Sequence, residues 1–365
     1  MARHSADLEN IQSQIKSTGM RRSDRFLAGL EEYSRVVFIT HVYPDPDSIG
    51  SMLGLAHLVE SQLQIPTCLT RDGLISRAEN RALVDLLKID LIPIEEVEWD
   101  DDDAIVMVDS QPNTGRHSVE GDVPLFAVID HHDTRGDLTD VDFIDVRPSY
   151  GATCTLVTKY LAEQNVSIQQ RMATALLYGI ETEISGYPRE ASEADDCAVQ
   201  FLYPMADKDL IAQIRSARLP ISHFECMLHA LQNSFIYEHL LISWVNDLPQ
   251  PEQAAEIAEF MIRFEQVEWA LCGGIFEDKL VLSLRSSLPE AKAGELLRQT
   301  VGKLGRAGGH DRRAGGCIIL PSTSCNAIEE IQSEVRRRLL KTLKIEECRG
   351  QRLVPLREML QNIQA

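Results

Sequence analysis

Short apolar runs alternate with segments of helical periodicity between residues 35 and 132. Continuous apolar runs of strand length lie at 35–40, 104–110 and 124–132, while apolar residues recur at helical spacing in 48–62 and 76–87. Uninterrupted runs of this kind are typical of strands that are buried on both faces of a parallel sheet. The alternation therefore predicts right-handed βαβ units on an open, mostly parallel sheet with flanking helices.

The pattern changes after this sheet. Residues 150–217 carry helical patterns that would cover it, and two weak apolar stripes in 1–34 predict two short helices that lead into the first strand. Further on, 269–276 and 279–287 have the pattern of strands, followed by a helix, a glycine-rich loop and a long helix. Prolines and the change of pattern place a domain boundary between 205 and 245. We therefore expect an α/β domain at 35–217, a linker region at 218–245, a smaller α+β domain at 246–345 and a C-terminal tail at 346–365.

The acidic balance of the chain limits its partners. The 36 basic and 56 acidic side chains give a net charge of −20, whereas long duplex DNA and anionic membranes both require clustered Lys and Arg. The eight cysteines form no CxxC pair, the first residues lack the apolar run of a secretory signal, and no window approaches the length of a membrane-spanning segment. We expect a cytoplasmic protein with reduced thiols that binds neither a membrane nor long duplex DNA.

Carboxylates and imidazoles gather where three of the predicted strands end. Because ligands collect beyond the carboxyl ends of parallel strands, these side chains should meet at one edge of the sheet. Imidazole nitrogens and carboxylate oxygens without thiolates suit Mn²⁺, Mg²⁺, Fe²⁺ or Zn²⁺, and neighbouring carboxylates need a cation to offset their repulsion. The pattern predicts a site for two divalent ions that share one carboxylate. Its candidate residues are His41, Asp45, Asp47, Asp109, Asp130, His131 and His132.

The same residues resemble the motifs of the DHH phosphoesterase superfamily. Residues 41–51 follow its first motif, a His, then Pro-Asp-x-Asp and Gly-Ser; Asp109 stands in its second motif, and 130–132 are the Asp-His-His motif itself. Residues 178–183 fall where the family has a Thr-Asp pair, and 308–316 resemble the glycine-rich GGH motif of its DHHA1 domain. Within the family, the resemblance is closest to the oligoribonuclease (nanoRNase) and 3′-phosphoadenosine-5′-phosphate phosphatase group.

The resemblance implies a role for each residue at the strand ends. His132 would contact the scissile phosphate, and Asp130 would orient the histidines. Glu183 replaces the family's Asp, so its extra methylene must shift the backbone or the ion, and Glu181 is its rival as a ligand. The cofactors would be two divalent ions, Mn²⁺ in the first place with Mg²⁺ or Co²⁺ as alternatives. One ion would be held by His41, Asp45 and Asp109, and the other by Asp47, Asp109, His131 and Glu183, with Asp109 bridging.

In the second domain, the glycine-rich loop would bind the substrate. Gly308 and Gly309 allow backbone N–H groups to approach a phosphate, and cationic side chains add donors. Arg285 resembles the arginine that precedes this loop in nucleotide-cleaving members, whereas Arg313 departs from the small residue usual at its position. The predicted substrate-binding residues are Arg285, Gly308, Gly309, His310, Arg312 and Arg313.

The resemblance thus implies a cytosolic, metal-dependent phosphoesterase with its active site in the cleft between two domains. Its substrates would be short oligoribonucleotides or nucleoside 3′,5′-bisphosphates, hydrolysed by water that two metal ions activate. The net charge favours short substrates because a few arginines suffice to bind them, and a homodimer is compatible with this prediction. Three alternatives stay open: a cyclic dinucleotide phosphodiesterase, a RecJ-like single-strand exonuclease, and a catalytically weakened nucleotide-binding regulatory protein.

Overall fold

The computed structural model describes residues 21–114, 117, 124–133, 136–185, 190–309 and 311–355. The chain divides into two compact units, of which the first ends at Ala217 and the second begins at Arg218. Of the two helices predicted in 1–34, the first lies outside the described residues. The second is present as α1 (Arg22–Leu30), which buries the side chains of Phe26 and Leu30.

A six-stranded sheet organises the first unit. Its strands are β1 (Arg35–Ile39), β2 (Thr67–Arg71), β3 (Ile92–Pro93), β4 (Asp103–Val108), β5 (Ala127–Asp130) and β6 (Phe143–Val146). They follow the order β3-β2-β1-β4-β5-β6, and every neighbouring pair is parallel. Every residue of β4 and β5 is buried, as expected for apolar runs covered on both faces. The predicted α/β class is confirmed.

The remaining helices of the first unit pack on this sheet and on one another. They are α2 (Pro46–Leu63), α3 (Ala78–Leu87), α4 (Thr153–Glu163), α5 (Gln170–Ile184), α6 (Glu193–Leu202) and α7 (Lys208–Arg215). Glycines of α2 permit close approach: a Cβ on Gly54 would lie 2.6 Å from Val157 of α4, and one on Gly50 would lie 3.0 Å from the carbonyl oxygen of Ala175 in α5. The absence of side chains there brings α4 and α5 against the start of α2.

Local chemistry determines where α2 begins. The Asp45 carboxylate accepts the N–H of Ser48 at 3.0 Å, the Asp45 N–H donates to the Ser48 hydroxyl at 3.0 Å, and Pro46 occupies the first helical turn. This reciprocal cap satisfies N–H groups that the first turn leaves without helical partners. It also holds Asp45 and Asp47 at a helix N-terminus, where the helix dipole stabilises negative charge.

A seven-stranded mixed sheet organises the second unit, in agreement with the predicted α+β class. Its strands are β7 (Ser234–Tyr237), β8 (Leu240–Val245), β9 (Trp269–Phe276), β10 (Lys279–Ser286), β11 (Arg306–Gly309), β12 (Arg313–Ile319) and β13 (Gln351–Arg352), in the order β11-β12-β10-β9-β8-β7-β13. The pair β8–β9 is parallel and the other pairs are antiparallel. The helices are α8 (Ile221–Gln232), α9 (Gln253–Met261), α10 (Ala293–Val301) and α11 (Cys325–Thr342). None of the helices that the structure describes is both long and apolar enough to cross a bilayer.

Two predicted boundaries differ from the structure. Residues 218–245, which we predicted as a linker region, form α8, β7 and β8, and Leu240 and Leu241 of β8 are fully buried. This segment belongs to the second unit because its apolar side chains fill that unit's core and its strand pairs with β9. Part of the predicted tail at 346–365 is also ordered, since β13 pairs with β7, while residues 356–365 lie outside the described residues.

The register of β1, β4 and β5 brings the segments that follow these strands to the same edge of the first sheet. Ile39 of β1 pairs with Met107 of β4, and Val108 of β4 pairs with Ile129 of β5. The residues that follow these positions therefore leave the sheet side by side. The segments containing the first, second and third motifs meet at that edge, as the parallel arrangement predicted.

Candidate metal centre

The histidines and carboxylates predicted from the sequence lie together at this edge. Among the described residues, two groups of three have ligand atoms within 4.8 Å of one another: His41, Asp45 and Asp109 form one, and Asp109, His131 and His132 form the other. Asp109 is common to both groups. It therefore occupies the central position that a bridging ligand requires.

His41 presents its Nε2 atom to two carboxylates. Its Nδ1 atom lies 2.9 Å from the carbonyl oxygen of Val42, and because a carbonyl only accepts, Nδ1 carries the hydrogen. Nε2 lies 3.6 Å from Asp45 Oδ2 and 3.5 Å from Asp109 Oδ2. Nδ1 thus bonds the backbone and Nε2 faces carboxylate oxygens, which is the orientation of a histidine that binds a metal through Nε2.

His131 is arranged in the same way on the other side of Asp109. Its Nδ1 atom donates to the carbonyl oxygen of Tyr150 at 3.2 Å. Its Nε2 atom lies 3.5 Å from Asp109 Oδ1 and 3.8 Å from Asp47 Oδ2. Both histidines are therefore held by backbone carbonyls, with Nε2 left for the site.

Asp109 is the first residue after β4 and adopts a left-handed backbone conformation with φ of 56°. Side chains other than glycine are uncommon in that region, and such strained positions cluster at functional sites. The Asp109 N–H donates to the carbonyl oxygen of Ile129 at 2.9 Å, and the Thr153 hydroxyl donates to Asp109 Oδ1 at 2.8 Å. These bonds hold the carboxylate with Oδ2 towards His41 and Oδ1 towards His131.

Asp47 is fully buried between α2 and the start of α4. Its Oδ2 accepts the N–H of Thr153 and its Oδ1 accepts the N–H of Cys154, both at 2.7 Å. The carboxylate therefore caps the N-terminus of α4, a favourable place for negative charge. Burial, followed by repulsion from Asp109, nonetheless raises the pKa of Asp47 well above its ordinary value.

This donor set fits divalent cations. Three carboxylates and two imidazole Nε2 atoms converge, and a cation would offset the repulsion from Asp109 that, together with burial, raises the pKa of Asp47. The nearby Cys154 thiol is buried and donates to the Asp47 carbonyl oxygen at 3.3 Å. Burial and then the charge of Asp47 raise the pKa of that thiol, so it stays protonated and the site is one of oxygen and nitrogen ligands.

Asp130 and His132 form a second layer beside these ligands. Asp130 Oδ1 lies 2.7 Å from His132 Nδ1, and Asp130 Oδ2 accepts the side-chain N–H of Gln111 at 2.8 Å. Burial opposes the charge of Asp130, but the hydrogen bonds from His132 and Gln111 outweigh it and lower the pKa of Asp130 to about 2. We predicted that Asp130 orients both histidines; in the structure it bonds His132, whereas the Tyr150 carbonyl bonds His131.

The structure separates the two rival glutamates of α5. The charge of Glu183 contributes to the raised pKa of Asp47, which shows that Glu183 lies near the site. Glu181 Oε2 instead accepts from Arg215 Nη2 at 2.6 Å. Glu183 is in neither of the two groups of converging ligand atoms, so its role as a ligand stays a prediction.

The predicted glycine-rich loop of the second unit consists largely of two strands. Gly308 of β11 pairs with Gly315 of β12, and a Cβ on either would meet no other atom within 4 Å. The close register of two antiparallel strands explains why this segment is a hairpin and not a loop. His310 lies outside the described residues, so the sequence prediction for it stays a prediction.

The predicted substrate-binding arginines contact protein groups. Arg285 donates to the Ser283 hydroxyl at 2.9 Å and to Glu259 at 3.0 Å, and it lies directly opposite Arg313 in the β10–β12 pairing. Arg312 donates to the carbonyl oxygens of Leu288 and Pro289 at 3.0 and 3.1 Å. Arg285 and Arg313 therefore lie side by side on one sheet face, with Arg285 paired to Glu259.

Sequence reasoning did not identify two polar residues that orient the site, Gln111 and Thr153. Thr153 contacts both Asp47 and Asp109, and Gln111 contacts Asp130 and the carbonyl oxygen of His132. Thr153 begins a helix, which is a weak signal of an N-terminal anion contact. Gln111 lies two residues after Asp109, but its partners are 19 and 21 residues away, so spacing alone could not reveal its role.

Comparison with known proteins agrees with this geometry. Residues 35–180 match the model of the DHH family, N-terminal domain. A crystal structure of an exopolyphosphatase-related protein from Bacteroides fragilis superposes with a TM-score of 0.70 and 18% identity, over 90% of this chain and 99% of that one. This likeness confirms the fold.

Two curated proteins are similar in sequence. An uncharacterised protein of Methanocaldococcus jannaschii is 26% identical over 324 residues, which cover 87% of this chain and 66% of that protein. The cyclic-di-AMP phosphodiesterase GdpP of Bacillus subtilis is 23% identical over 300 residues, covering 76% of this chain and 44% of GdpP. The chain thus spans about half to two thirds of the length of the curated relatives that it matches.

Proposed function

We propose that the chain is a metal-dependent phosphoesterase of the DHH family, whose N-terminal domain model matches residues 35–180. Its substrates are short oligoribonucleotides or nucleoside 3′,5′-bisphosphates. The observation that carries the proposal is the position of Asp109 between His41 and His131. Each histidine donates its Nδ1–H to a backbone carbonyl oxygen and has Nε2 facing Asp109. Such a site is suited to hold cations next to a phosphate.

We assign the ligands from these contacts. Bound divalent ions would supply a nucleophile at neutral pH and neutralise charge on the phosphoryl oxygens. Mn²⁺ is the proposed ion, with Mg²⁺ and Co²⁺ as alternatives, because the ligands are oxygen and imidazole nitrogen. The proposed ligands are His41, Asp45, Asp47, Asp109, His131 and Glu183.

The chain's own residues orient the reacting groups. The Asp130 carboxylate accepts the Nδ1–H of His132 and orients the ring, and a second hydrogen on Nε2 would let the ring donate to a phosphate oxygen. Thr153 fixes the carboxylates of Asp109 and Asp47 from one helix turn. A site prepared in this way needs little rearrangement when the substrate arrives.

In the second unit, which we propose as a DHHA1 domain, cationic and glycine residues bind the substrate. Arg285 and Arg313 lie on the same sheet face, and Gly308 leaves open space for a ligand beside the backbone. The net charge of −20 supports a short substrate, since a local arginine cluster can bind a few phosphates whereas a long strand needs an extended basic channel. The proposed residues are Arg285, Gly308, Gly309, His310, Arg312 and Arg313.

A cyclic dinucleotide is the second candidate substrate. GdpP, whose name gives cyclic-di-AMP as its substrate, matches 76% of this chain at 23% identity. The same cation site would serve both reactions, because each cleaves a phosphodiester. We also propose a cytoplasmic location, because the eight cysteines are scattered and form no CxxC pair. A homodimer is the proposed assembly.

A substrate panel tests the proposal. The purified protein is incubated with Mn²⁺ and, separately, pApA, a five-nucleotide RNA, 3′-phosphoadenosine-5′-phosphate, cyclic di-AMP, pyrophosphate and long single-stranded DNA. We expect release of mononucleotide or phosphate from the first three substrates and loss of that release on addition of EDTA. Fastest cleavage of cyclic di-AMP would favour the second candidate, preference for the long strand would overturn the short-substrate proposal, and no cleavage at all would overturn the enzyme proposal.

A further inference from the structure

Gln111 occupies a buried position between two parts of the Asp-His-His segment. Its side-chain Nε2 donates to Asp130 Oδ2 at 2.8 Å and to the carbonyl oxygen of His132 at 3.1 Å, while its Oε1 accepts the N–H of Gly136 at 2.9 Å. The residue is only 2% exposed. All of these contacts are made by one amide group, which therefore links Asp130, His132 and Gly136.

The orientation of this amide is determined by its partners. The Gly136 N–H can only donate, so it requires the amide oxygen on its side. The carboxylate of Asp130 and the carbonyl of His132 can only accept, so they require the amide nitrogen. With one oxygen of Asp130 bonded to Gln111, the other oxygen is directed at His132 Nδ1, 2.7 Å away.

Close approach of the backbone is part of the same arrangement. A Cβ on Gly136 would lie 2.5 Å from the carbonyl oxygen of Pro112 and 2.8 Å from Cβ of Gln111. A side chain at this position would therefore push the segment away from Gln111. The hydroxyl of Thr114 donates to the backbone carbonyl oxygen of Gln111 at 2.9 Å and so holds the backbone at Gln111.

We propose that Gln111 is a positioning residue that acts through His132: its amide fixes the Asp130 carboxylate, which accepts the Nδ1–H of His132 and thereby orients the ring towards the substrate. The inference rests on the proposed phosphoesterase function, because only the reaction makes the orientation of His132 matter. The side-chain bonds of Gln111 go to Asp130, His132 and Gly136, not to the proposed metal ligands, and we propose no contact between Gln111 and the substrate. Its contribution resembles that of the outer residues that orient histidines in metal sites.

The substitution Gln111→Glu separates orientation from packing. Glutamate has the same shape but lacks the amide hydrogens, and it would place a second carboxylate against Asp130. We expect kcat to fall about 10- to 100-fold, the range for outer residues that orient histidines in metal sites, with KM and Mn²⁺ content close to wild type. The melting temperature should fall, because two buried carboxylates repel each other. Gln111→Met, which keeps the volume and removes every amide bond, should lower kcat in the same direction.

Two further variants test whether the effect passes through His132. In a His132→Ala background, Gln111→Glu should cause no further loss of kcat, since interacting residues are not additive. Gln164→Glu is the matched control, because Gln164 also donates from its amide to a carboxylate, Asp24, at 2.6 Å, but lies outside the site. It should leave kcat unchanged. An equal loss of kcat on Gln111→Glu with and without His132 would overturn the proposal.

A spectroscopic measurement does not depend on activity. In protein labelled with ¹⁵N-histidine, two-bond ¹H–¹⁵N correlations identify which ring nitrogen carries the hydrogen, and the His132→Ala variant assigns the signal. We expect a hydrogen on Nδ1 in the wild type and a partial loss of that hydrogen in Gln111→Glu. An unchanged Nδ1–H signal in Gln111→Glu would refute the role of Gln111. If Gln111→Glu loses the Nδ1 hydrogen while the protein cleaves no substrate, the proposed function fails and the positioning role stands.

Discussion

The two polar clusters of the molecule are built in opposite ways. In the first unit, His41 and His131 bond backbone carbonyls and Asp47 bonds backbone N–H groups, so the rigid backbone orients the side chains. In the second unit, Arg285 and Arg312 are long side chains that donate to protein oxygens. If the two clusters act as proposed, backbone groups already orient the first, whereas the second would exchange existing bonds for those to a phosphate.

This difference predicts that substitutions in the first cluster impair the chemistry and that those in the second weaken substrate binding. Loss of a precisely oriented ligand removes interactions that a bound cation makes with the transition state. Loss of one arginine removes a contact that substrate and transition state share, and such uniform binding appears in KM. The following substitutions test the contrast in order of expected effect.

Asp109→Ala should have the largest effect. Removing the shared carboxylate eliminates several kcal/mol of charge stabilisation, which corresponds to a loss of about 10³-fold or more in kcat. Steady-state kinetics on pApA and metal analysis of the same preparation measure the loss. Asp103→Asn is the control: Asp103 lies at the other end of β4 and pairs with Arg35 at 2.5 Å, so its change should reduce stability and leave metal content intact. Full activity of Asp109→Ala would contradict its bridging role.

Thr153→Val should have the next largest effect. Valine keeps the shape and the backbone N–H bonded to Asp47 but loses the hydroxyl bonded to Asp109, so Mn²⁺ affinity should fall about 10- to 100-fold. Isothermal titration with Mn²⁺ measures this change. Thr155→Val is the matched control, because the Thr155 hydroxyl in the same helix donates to Asp195 at 2.6 Å. Equal effects of both substitutions would show that helix stability, and not the orientation of Asp109, is responsible.

Glu183→Gln should have a smaller effect. The loss of one carboxylate near Asp47 should lower Mn²⁺ affinity about tenfold, the lower end of the range for groups that support metal sites. Glu181→Gln, which loses the pair with Arg215, should leave affinity unchanged. Glu183→Asp should keep or raise activity. A large loss on that change would show that the site has adapted to the longer side chain.

Arg313→Ala should have the smallest effect. A partly exposed ion contact contributes up to about 1 kcal/mol, so KM for pApA should rise about fivefold with little change in kcat. Arg306→Ala, on β11 of the same sheet, is the control and should leave KM unchanged. A fall in kcat without a change in KM would contradict the division of roles between the two units.

Much of the first unit could be predicted because its signals are local. The apolar runs of β1, β4 and β5 and the polar residues after them indicated a parallel sheet with a site at its edge. Long-range pairing was harder to predict. Residues 218–245 resembled a linker because β8 pairs with β9 across an intervening helix. The segment around Gly308 resembled a loop because its strand is recognised from the pairing of Gly308 with Gly315 on β12. The role of Gln111 was equally hidden, since its bonds reach partners 19 or more residues away.

Direct measurement of Mn²⁺ binding tests the central claim, that the edge of the first sheet is a divalent cation site. Equilibrium dialysis of the purified protein against Mn²⁺, followed by metal analysis, should give about two ions per chain, as expected for a site with one shared carboxylate. The same experiment with Asp109→Ala should show a marked loss of bound metal, and Asp103→Asn should bind like the wild type. Absence of Mn²⁺ from the wild type, or equal binding by Asp109→Ala, would contradict the account.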